Sequence, residues 1–111
     1  MQIDKSFVGS VTVLTLSGKI TLGEGDEFLK DCINALAASG KLAVVMDLAG
    51  VPYIDSAGLG ELVRSYTTLS RQGGKLILCS IDTQIYEVFE ITKLNKLFVI
   101  KKDEQDGLQG F

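Results

Sequence analysis

The segment from Lys41 to Leu48 is almost continuously apolar, and it constrains the fold of this 111-residue chain more than any other feature. Strands with one face in water alternate apolar and polar residues, whereas a run interrupted only by Asp47 fits a central strand covered on both faces, as parallel sheets require. The run falls well short of the roughly 20 apolar residues that cross a bilayer, so no membrane insertion is expected. The sequence therefore predicts a parallel β-sheet carrying helices.

The segments around this strand complete an α/β pattern. Two β-branched-rich runs, at 2–8 and 11–17, meet at Gly9-Ser10, which predicts a hairpin. Helical periodicity, capping residues and glycine stops predict the remaining elements, with Ile85, Val88 and Phe89 of the third helix packing inward. These elements are helices at about 24–39, 56–71 and 82–89 and strands at 75–79 and 97–100.

The order β-β-α-β-α-β-α-β predicts one α/β domain over residues 1–100. Its sheet is expected to contain about five strands, with the antiparallel hairpin at one edge, the remainder parallel, and about three to four flanking helices. Residues 101–111 are polar and contain Gly107 and Gly110, so we predict a loosely held C-terminal tail.

Composition excludes several classes of function. The chain has no histidine, so a histidine base, a Ser-His-Asp triad and a His-ligated metal are ruled out. A net charge of -3 without a basic run argues against binding nucleic acid directly. Cys32 and Cys79 are isolated and fit buried thiols in a reducing compartment. The N-terminus shows no signal-peptide pattern, so a cytoplasmic location is expected.

The functional loops of such a sheet gather at the carboxyl ends of its parallel strands, where this chain places Asp47 and the helix opening Asp55 to Gly60. The known sequence motifs for binding phosphate groups and dinucleotides do not match this chain. The segment Gly18 to Thr21 lacks the residues of a phosphate-binding loop, and the third glycine of a dinucleotide fingerprint is replaced by Val63. The carboxylates of Asp47 and Asp55 could bind a metal ion, but no further candidate ligands cluster with them in the sequence. We predict no metal, no cofactor and no enzymatic activity.

Ser56 admits two interpretations. Asp-Ser at a helix start is ordinary capping chemistry, but Asp55 can itself be the cap, which leaves the Ser56 hydroxyl free to face outward. Gly58 and Gly60 each destabilise a helix by about 1 kcal/mol relative to alanine, so either a partner approaches the backbone here or the helix packs tightly on its neighbour. A phosphate on Ser56 would be stabilised by the helix dipole. It would also place about -1.5 to -2 charges beside Asp55.

The stretch from Val45 to Leu62, VMDLAGVPYIDSAGLGEL, closely resembles the signature of the STAS family, and specifically its bacterial anti-sigma factor antagonists. The segments GKITL from Gly18, GGKL from Gly73 and ITKL from Ile91 match in order and spacing. The resemblance spans essentially residues 3–100 and implies the STAS fold. Two departures are Thr21, where many members carry an acidic residue, and the 101–111 segment, where the family usually has a further helix.

The resemblance implies a switch protein that is not an enzyme. In such proteins the serine matching Ser56 is phosphorylated by an anti-sigma factor, a Ser/Thr kinase of the histidine-kinase-like ATPase fold, and a metal-dependent phosphatase resets it. The unphosphorylated antagonist binds that kinase and frees the sigma factor. The implied partner-binding residues are Asp55, Ser56, Ala57, Gly58, Gly60 and Arg64, with Thr21 or Asp47 nearby.

Two alternatives stay open. Asp47 can instead anchor its loop by accepting backbone hydrogen bonds. The domain can also be a scaffold, or a regulatory subunit of a signalling assembly or transporter, in which Ser56 need not be modified.

Overall fold

The computed structural model describes all residues, Met1–Phe111, as five strands and four helices; the elements up to the last strand follow the predicted order, and the fourth helix comes after it. The predicted mixed α/β sheet is confirmed, and its elements have the following bounds. The strands are β1 (Gln2–Val8), β2 (Val11–Ser17), β3 (Ala43–Gly50), β4 (Lys75–Cys79) and β5 (Val99–Lys101). The helices are α1 (Gly25–Ala38), α2 (Ser56–Arg71), α3 (Thr83–Ile91) and α4 (Glu104–Leu108).

The five strands form one sheet in the order β1-β2-β3-β4-β5. β1 and β2 form the antiparallel hairpin, and all other pairs are parallel. Gly9 turns the hairpin at φ +60°, a backbone region that glycine adopts without steric penalty. Because β2, β3 and β4 run in the same direction, the loops that follow β2 and β3 lie at one edge of the sheet, where Ile20 and Ile54 form a further parallel bridge.

One face of the sheet carries the main core. Alternate residues of β3, Val44, Met46 and Leu48, pack with side chains of α1, α2 and α3 and are fully buried. At the far edge, Phe98 contacts the rings of Tyr66 and Phe89 at centroid distances of 5.7 Å. Phe98 therefore links the second half of α2, through Tyr66, to α3, through Phe89.

The opposite face of the sheet is covered by α4, which corrects the expectation of a loosely held tail. The backbone of Gly107 is buried, with Val45 and Ile77 close by. Lys75 Nζ donates a 2.7 Å hydrogen bond to the Gly110 carbonyl. A Cβ at Gly107 would lie 3.2 Å from Val45 Cγ1, and one at Gly110 would meet the flexible end of the Ile77 side chain, so this segment approaches the sheet closely at both glycines.

Smaller differences from prediction concern element ends. β3 extends to Gly50, two residues beyond the predicted end, because it continues to pair with Ser17 of β2. β5 begins at Val99 since Leu97 and Phe98 complete the turn that follows α3. Val88, expected to pack inward, is 36% exposed.

Candidate functional site

Helix α2 begins at Ser56, with Asp55 as its cap. Asp55 has extended backbone geometry, and its Oδ1 accepts a 2.8 Å hydrogen bond from the Gly58 N–H. This is the usual way in which an aspartate satisfies an N–H group that the first turn leaves unpaired. Asp55 is therefore the cap of this helix, as one of the two interpretations of Ser56 required.

The second oxygen of Asp55 holds the neighbouring loop. Oδ2 accepts a 3.0 Å hydrogen bond from the Leu22 N–H, so one carboxylate connects the loop after β2 to the start of α2. The bonds from Gly58 and Leu22 lower the pKa of Asp55. Thr21 precedes Leu22 in this loop, and its carbonyl accepts the N–H groups of Glu24 and Asp26. Thr21 therefore lies near Asp55, as expected.

Ser56 is exposed at the first position of α2. Its hydroxyl has no hydrogen-bond partner in the protein, and it lies at the positive end of a 16-residue helix. Ala57, the next residue, is half-buried. A group added to the Ser56 oxygen would therefore extend into solvent without breaking any contact of the fold.

The two glycines of the first helical turns differ in their surroundings. A Cβ at Gly58 would collide with the Ile20 carbonyl oxygen and come within 2.8 Å of Ile54 Cγ2. Gly58 is therefore required by packing within the protein. At Gly60, no atom beyond the neighbouring backbone of the helix itself lies within 4 Å of the position a Cβ would take. Packing inside the molecule does not explain this second glycine.

Arg64 is committed to the contact between α1 and α2. Its Nε donates to both carboxylate oxygens of Glu61, at 2.8 and 3.1 Å, and its Nη1 donates to Asn34 Oδ1 at 3.0 Å. Glu61, which is buried, also accepts from the Ser65 hydroxyl at 2.9 Å. The sequence analysis named Arg64 as an implied partner-binding residue but missed this network, because only the packed helices bring Asn34 to it.

Asp47 lies apart from the other candidate residues. It alternates with the buried core residues of β3, so it faces the side of the sheet that carries α4. Its Oδ1 accepts a 2.9 Å hydrogen bond from the Ala49 N–H, as the anchoring alternative predicted. Contact with Asp47 raises the pKa of Glu104, the first residue of α4.

Apolar groups surround Ser56, and the sequence analysis did not identify them. Leu22 is 75% exposed beside Asp55, and Tyr53 is 53% exposed just before the helix. Next to them lies a groove of about 210 Å³, which we call the α3 groove. Its lining residues are Pro52, Tyr53, Ile54, Leu59, Gln84, Ile85 and Val88. The sequence features that could have indicated this groove are Pro52 and Tyr53 before α2 and the apolar residue Val88 in α3.

The fold and the position of the site can be compared with known protein families. Residues 2–107 match the STAS domain family. The chain belongs to the STAS family. The resemblance of the segment from Val45 to Leu62 to the family signature is thereby confirmed, together with the STAS fold of the mixed sheet.

Relatives of this STAS domain include bacterial regulators of sigma factors. It is 22% identical over 108 residues to the anti-sigma F factor antagonist of Paenibacillus polymyxa, covering 97% of this chain and 92% of the relative. The crystal structure of an anti-sigma factor antagonist from Mycobacterium paratuberculosis superimposes with a TM-score of 0.86 at 25% identity, covering 98% of this chain and 92% of that one.

SpoIIAA, an anti-sigma factor antagonist of Bacillus, shares the fold in two solved states. Its unphosphorylated form superimposes with a TM-score of 0.75 at 15% identity, covering 98% of this STAS domain and 96% of SpoIIAA. Its phosphorylated form gives 0.72 at 18% identity, covering 94% and 95%. One fold therefore accommodates both states of SpoIIAA.

Three further observations concern metal ligands, the cysteines and the length of the helices. No three His, Cys, Asp or Glu side chains are grouped so that they could bind a metal ion. Cys32 and Cys79 are both free thiols, and burial raises the pKa of Cys79 to about 11. None of the helices is long and apolar enough to span a bilayer.

Proposed function

We propose that this STAS domain is an anti-sigma factor antagonist whose binding is switched off by phosphorylation of Ser56. The observation that carries the proposal is the position of Ser56, exposed at the first turn of α2 with its hydroxyl unbonded because Asp55 already caps the helix. The names of the relatives and the two solved states of SpoIIAA support the same function. The partner is an anti-sigma factor with Ser/Thr kinase activity.

The phosphoryl transfer uses ATP bound by that kinase. The Ser56 oxygen forms a bond to the γ-phosphorus, the bond from that phosphorus to the β–γ bridging oxygen breaks, and ADP leaves. The hydroxyl proton passes to a base of the kinase. Asp55 is a poor candidate for that base, because the N–H groups of Gly58 and Leu22 stabilise its charged form and lower its pKa.

The phosphate opposes binding by its charge and size. The first-turn N–H groups and the dipole of α2 stabilise the dianion within the free domain. In the complex the same dianion lies beside Asp55, in a surface that must be desolvated when the kinase docks. The partner surface therefore comprises Asp55, Ser56, Ala57 and Gly60 on α2, with Thr21 and Leu22 on the adjacent loop. Gly58 is buried beneath this surface, where it packs against the Ile20 carbonyl. A phosphatase specific for phospho-Ser56 restores the form that binds the kinase.

The first test is the intact mass of the protein after incubation with ATP and an extract of its own host. The wild type is expected to gain one phosphoryl group, and Ser56→Ala none. An active extract that leaves the wild type unmodified would contradict the proposal and favour the scaffold or transporter-subunit alternative.

The second test separates binding from phosphorylation. Ser56→Asp is expected to unfold at a temperature close to that of the wild type and to lose affinity for the purified anti-sigma factor kinases of the host, while Ser56→Ala binds one of them. Isothermal titration calorimetry measures both affinities. Undiminished binding of a folded Ser56→Asp protein would refute the switch.

A further inference from the structure

Strand β1 leaves one edge of the sheet unpaired. It is the outermost strand, it pairs only with β2, and six of its seven residues are exposed. Natural edge strands are usually protected against pairing with another chain by a proline, by a bulge or by being very short. β1 contains no proline and keeps an unbroken register with β2, so it lacks these protections. The opposite edge strand, β5, has only three residues.

The hairpin turn determines which backbone groups of β1 face outward. A two-residue turn joins β1 to β2, and the pair Val8–Val11 closes it with a hydrogen bond. In an antiparallel pair, every second residue directs its N–H and C=O groups at the partner strand, and the residues between direct theirs away from it. Counting back from Val8, the N–H and C=O groups of Ile3, Lys5 and Phe7 therefore point away from β2, where this molecule offers them no strand.

The same edge carries both a groove and an exposed aromatic side chain. The groove, which we call the β1 groove, lies between β1 and α1 and has a volume of about 280 Å³. Its lining residues are Ile3, Lys5, Phe28, Asp31 and Cys32. Phe7 follows Lys5 on the same face of the strand and is 58% exposed. A patch that holds both a groove and a side chain to fill it is self-complementary about a two-fold axis, the symmetry of most dimers.

We propose that two copies of this STAS domain associate through antiparallel pairing of their β1 edges, with Phe7 of each copy seated at the β1 groove of the other. The outward N–H and C=O groups of one edge bond those of its partner, so the two sheets become one continuous sheet. The occupant is a second copy because one edge supplies both halves of the contact, the groove and the side chain that covers it.

The charges of β1 select the register of this pairing. Residues opposite each other share a face of the sheet, so the two-fold axis passes through one residue position of the strand. An axis at Asp4 or at Lys5 would set like charges directly opposite each other, which destabilises a sheet. An axis at Phe7 would pair only residues 6–8. An axis at Ser6 pairs residues 4–8 and sets the ring of Phe7 opposite the ammonium-bearing side chain of Lys5, a favourable combination.

The partner surface around Ser56 stays open in this dimer. Gln2 pairs with Ser17, so the loop after β2, which Asp55 joins to the start of α2, lies at the Gln2 end of β1. An antiparallel pairing places these ends of the two copies at opposite ends of the joined sheet. The dimer therefore carries two separate partner surfaces, and Ser56→Asp is expected to dimerise like the wild type, so the dimer and the proposed switch are tested independently.

Sedimentation of the purified protein at concentrations up to about 1 mM tests the association. The wild type is expected to form a dimer as its concentration rises. Lys5→Pro is expected to stay monomeric, because proline removes an outward N–H that the fold itself does not use. Phe7→Ser is expected to weaken the dimer about tenfold or more, while Ile91→Ser, at an exposed apolar residue of α3, matches the wild type. Circular dichroism melting checks that each variant is folded. A monomeric wild type, or a folded Lys5→Pro that dimerises equally well, would overturn the proposal.

A disulfide across the axis tests the register. The two Ser6 positions form a pair without mutual backbone hydrogen bonds, with Cα atoms about 4.5 Å apart, a separation that a disulfide spans. Mild oxidation is expected to convert Ser6→Cys into a covalent dimer. Asp4→Cys, at an exposed position on the same face, and the wild type, with its thiols at Cys32 and Cys79, are expected to stay uncross-linked on a non-reducing gel. No cross-linking of Ser6→Cys, or equal cross-linking of Asp4→Cys, would overturn this pairing.

Discussion

At the scale of single residues, the two glycines after Ser56 have different reasons to be there. Gly58 is required because the Ile20 carbonyl oxygen occupies the space a side chain would need. Gly60 faces open space, where a helix gains stability from alanine. The sequence could predict that glycine is unusual at both positions, but only the packing of the Ile20 loop on α2 distinguishes the two.

Substituting alanine at Gly58 and at Gly60 is expected to change the free energy of unfolding in opposite directions. Gly58→Ala is expected to lower the free energy of unfolding by roughly 1–3 kcal/mol, since backbone must move to admit the methyl group. Gly60→Ala is expected to raise it by about 0.5–1 kcal/mol. Urea denaturation of both variants measures the difference. Equal destabilisation by the two substitutions would show that Gly60 also serves the fold.

Gly60→Ala also reports on the partner. If the kinase approaches this backbone closely, the more stable variant binds it less tightly than the wild type. Calorimetry under the conditions used for Ser56→Ala is the measurement, and unchanged affinity would remove Gly60 from the interface.

At the scale of elements, the sequence predicted what local pattern encodes and missed what tertiary contact creates. Helix α2 was predicted with its observed bounds, because its cap, apolar face and glycine stop are all local. Helix α4 was missed, since five residues containing Gly107 carry no periodic signal and the helix is stabilised by packing on Val45 and Ile77. The bonds from Arg64 to Asn34 depend equally on contact between distant segments.

The junction of α4 with the sheet predicts a dependence on pH. The pKa of Glu104 is raised by its hydrogen bond with Asp47, by partial burial and by the charge of Asp47, and lowered by the bond that the Thr15 hydroxyl donates at 3.4 Å. A carboxyl group with a raised pKa favours the folded state while it is protonated. Its contribution is complete below its ordinary value of 4.5 and is lost as pH rises through the raised value.

Replacing this carboxyl group tests that dependence. Glu104→Gln is expected to raise the melting temperature at pH 7 and to converge on the wild type near pH 4, where Glu104 carries its proton. Glu90→Gln, at an exposed glutamate of α3, is the matched control. A Glu104→Gln protein no more stable than the wild type at pH 7 would show that the two carboxyl groups do not repel each other appreciably.

At the scale of the whole molecule, the switch is expected to leave the fold unchanged. The Ser56 hydroxyl makes no contact that phosphorylation would break, and Arg64 is held by Glu61 and Asn34. Backbone amide shifts in the phosphorylated protein are therefore expected to change only around the first turn of α2 and the Leu22 loop. Shift changes that reach α4 or β1 would instead indicate a rearrangement of the domain.

The hydrogen bonds of Asp55 also bear on how long a phosphate on Ser56 would persist under the proposed switch. Phosphate monoesters are among the slowest of biological bonds to hydrolyse without a catalyst. This chain has no histidine, and the bonds from Gly58 and Leu22 lower the pKa of Asp55, so the carboxylate at the start of this helix is a weak base for activating water. Under the proposed switch, a phosphate on Ser56 would therefore persist until a phosphatase removes it, so the duration of the signal would be set outside this domain.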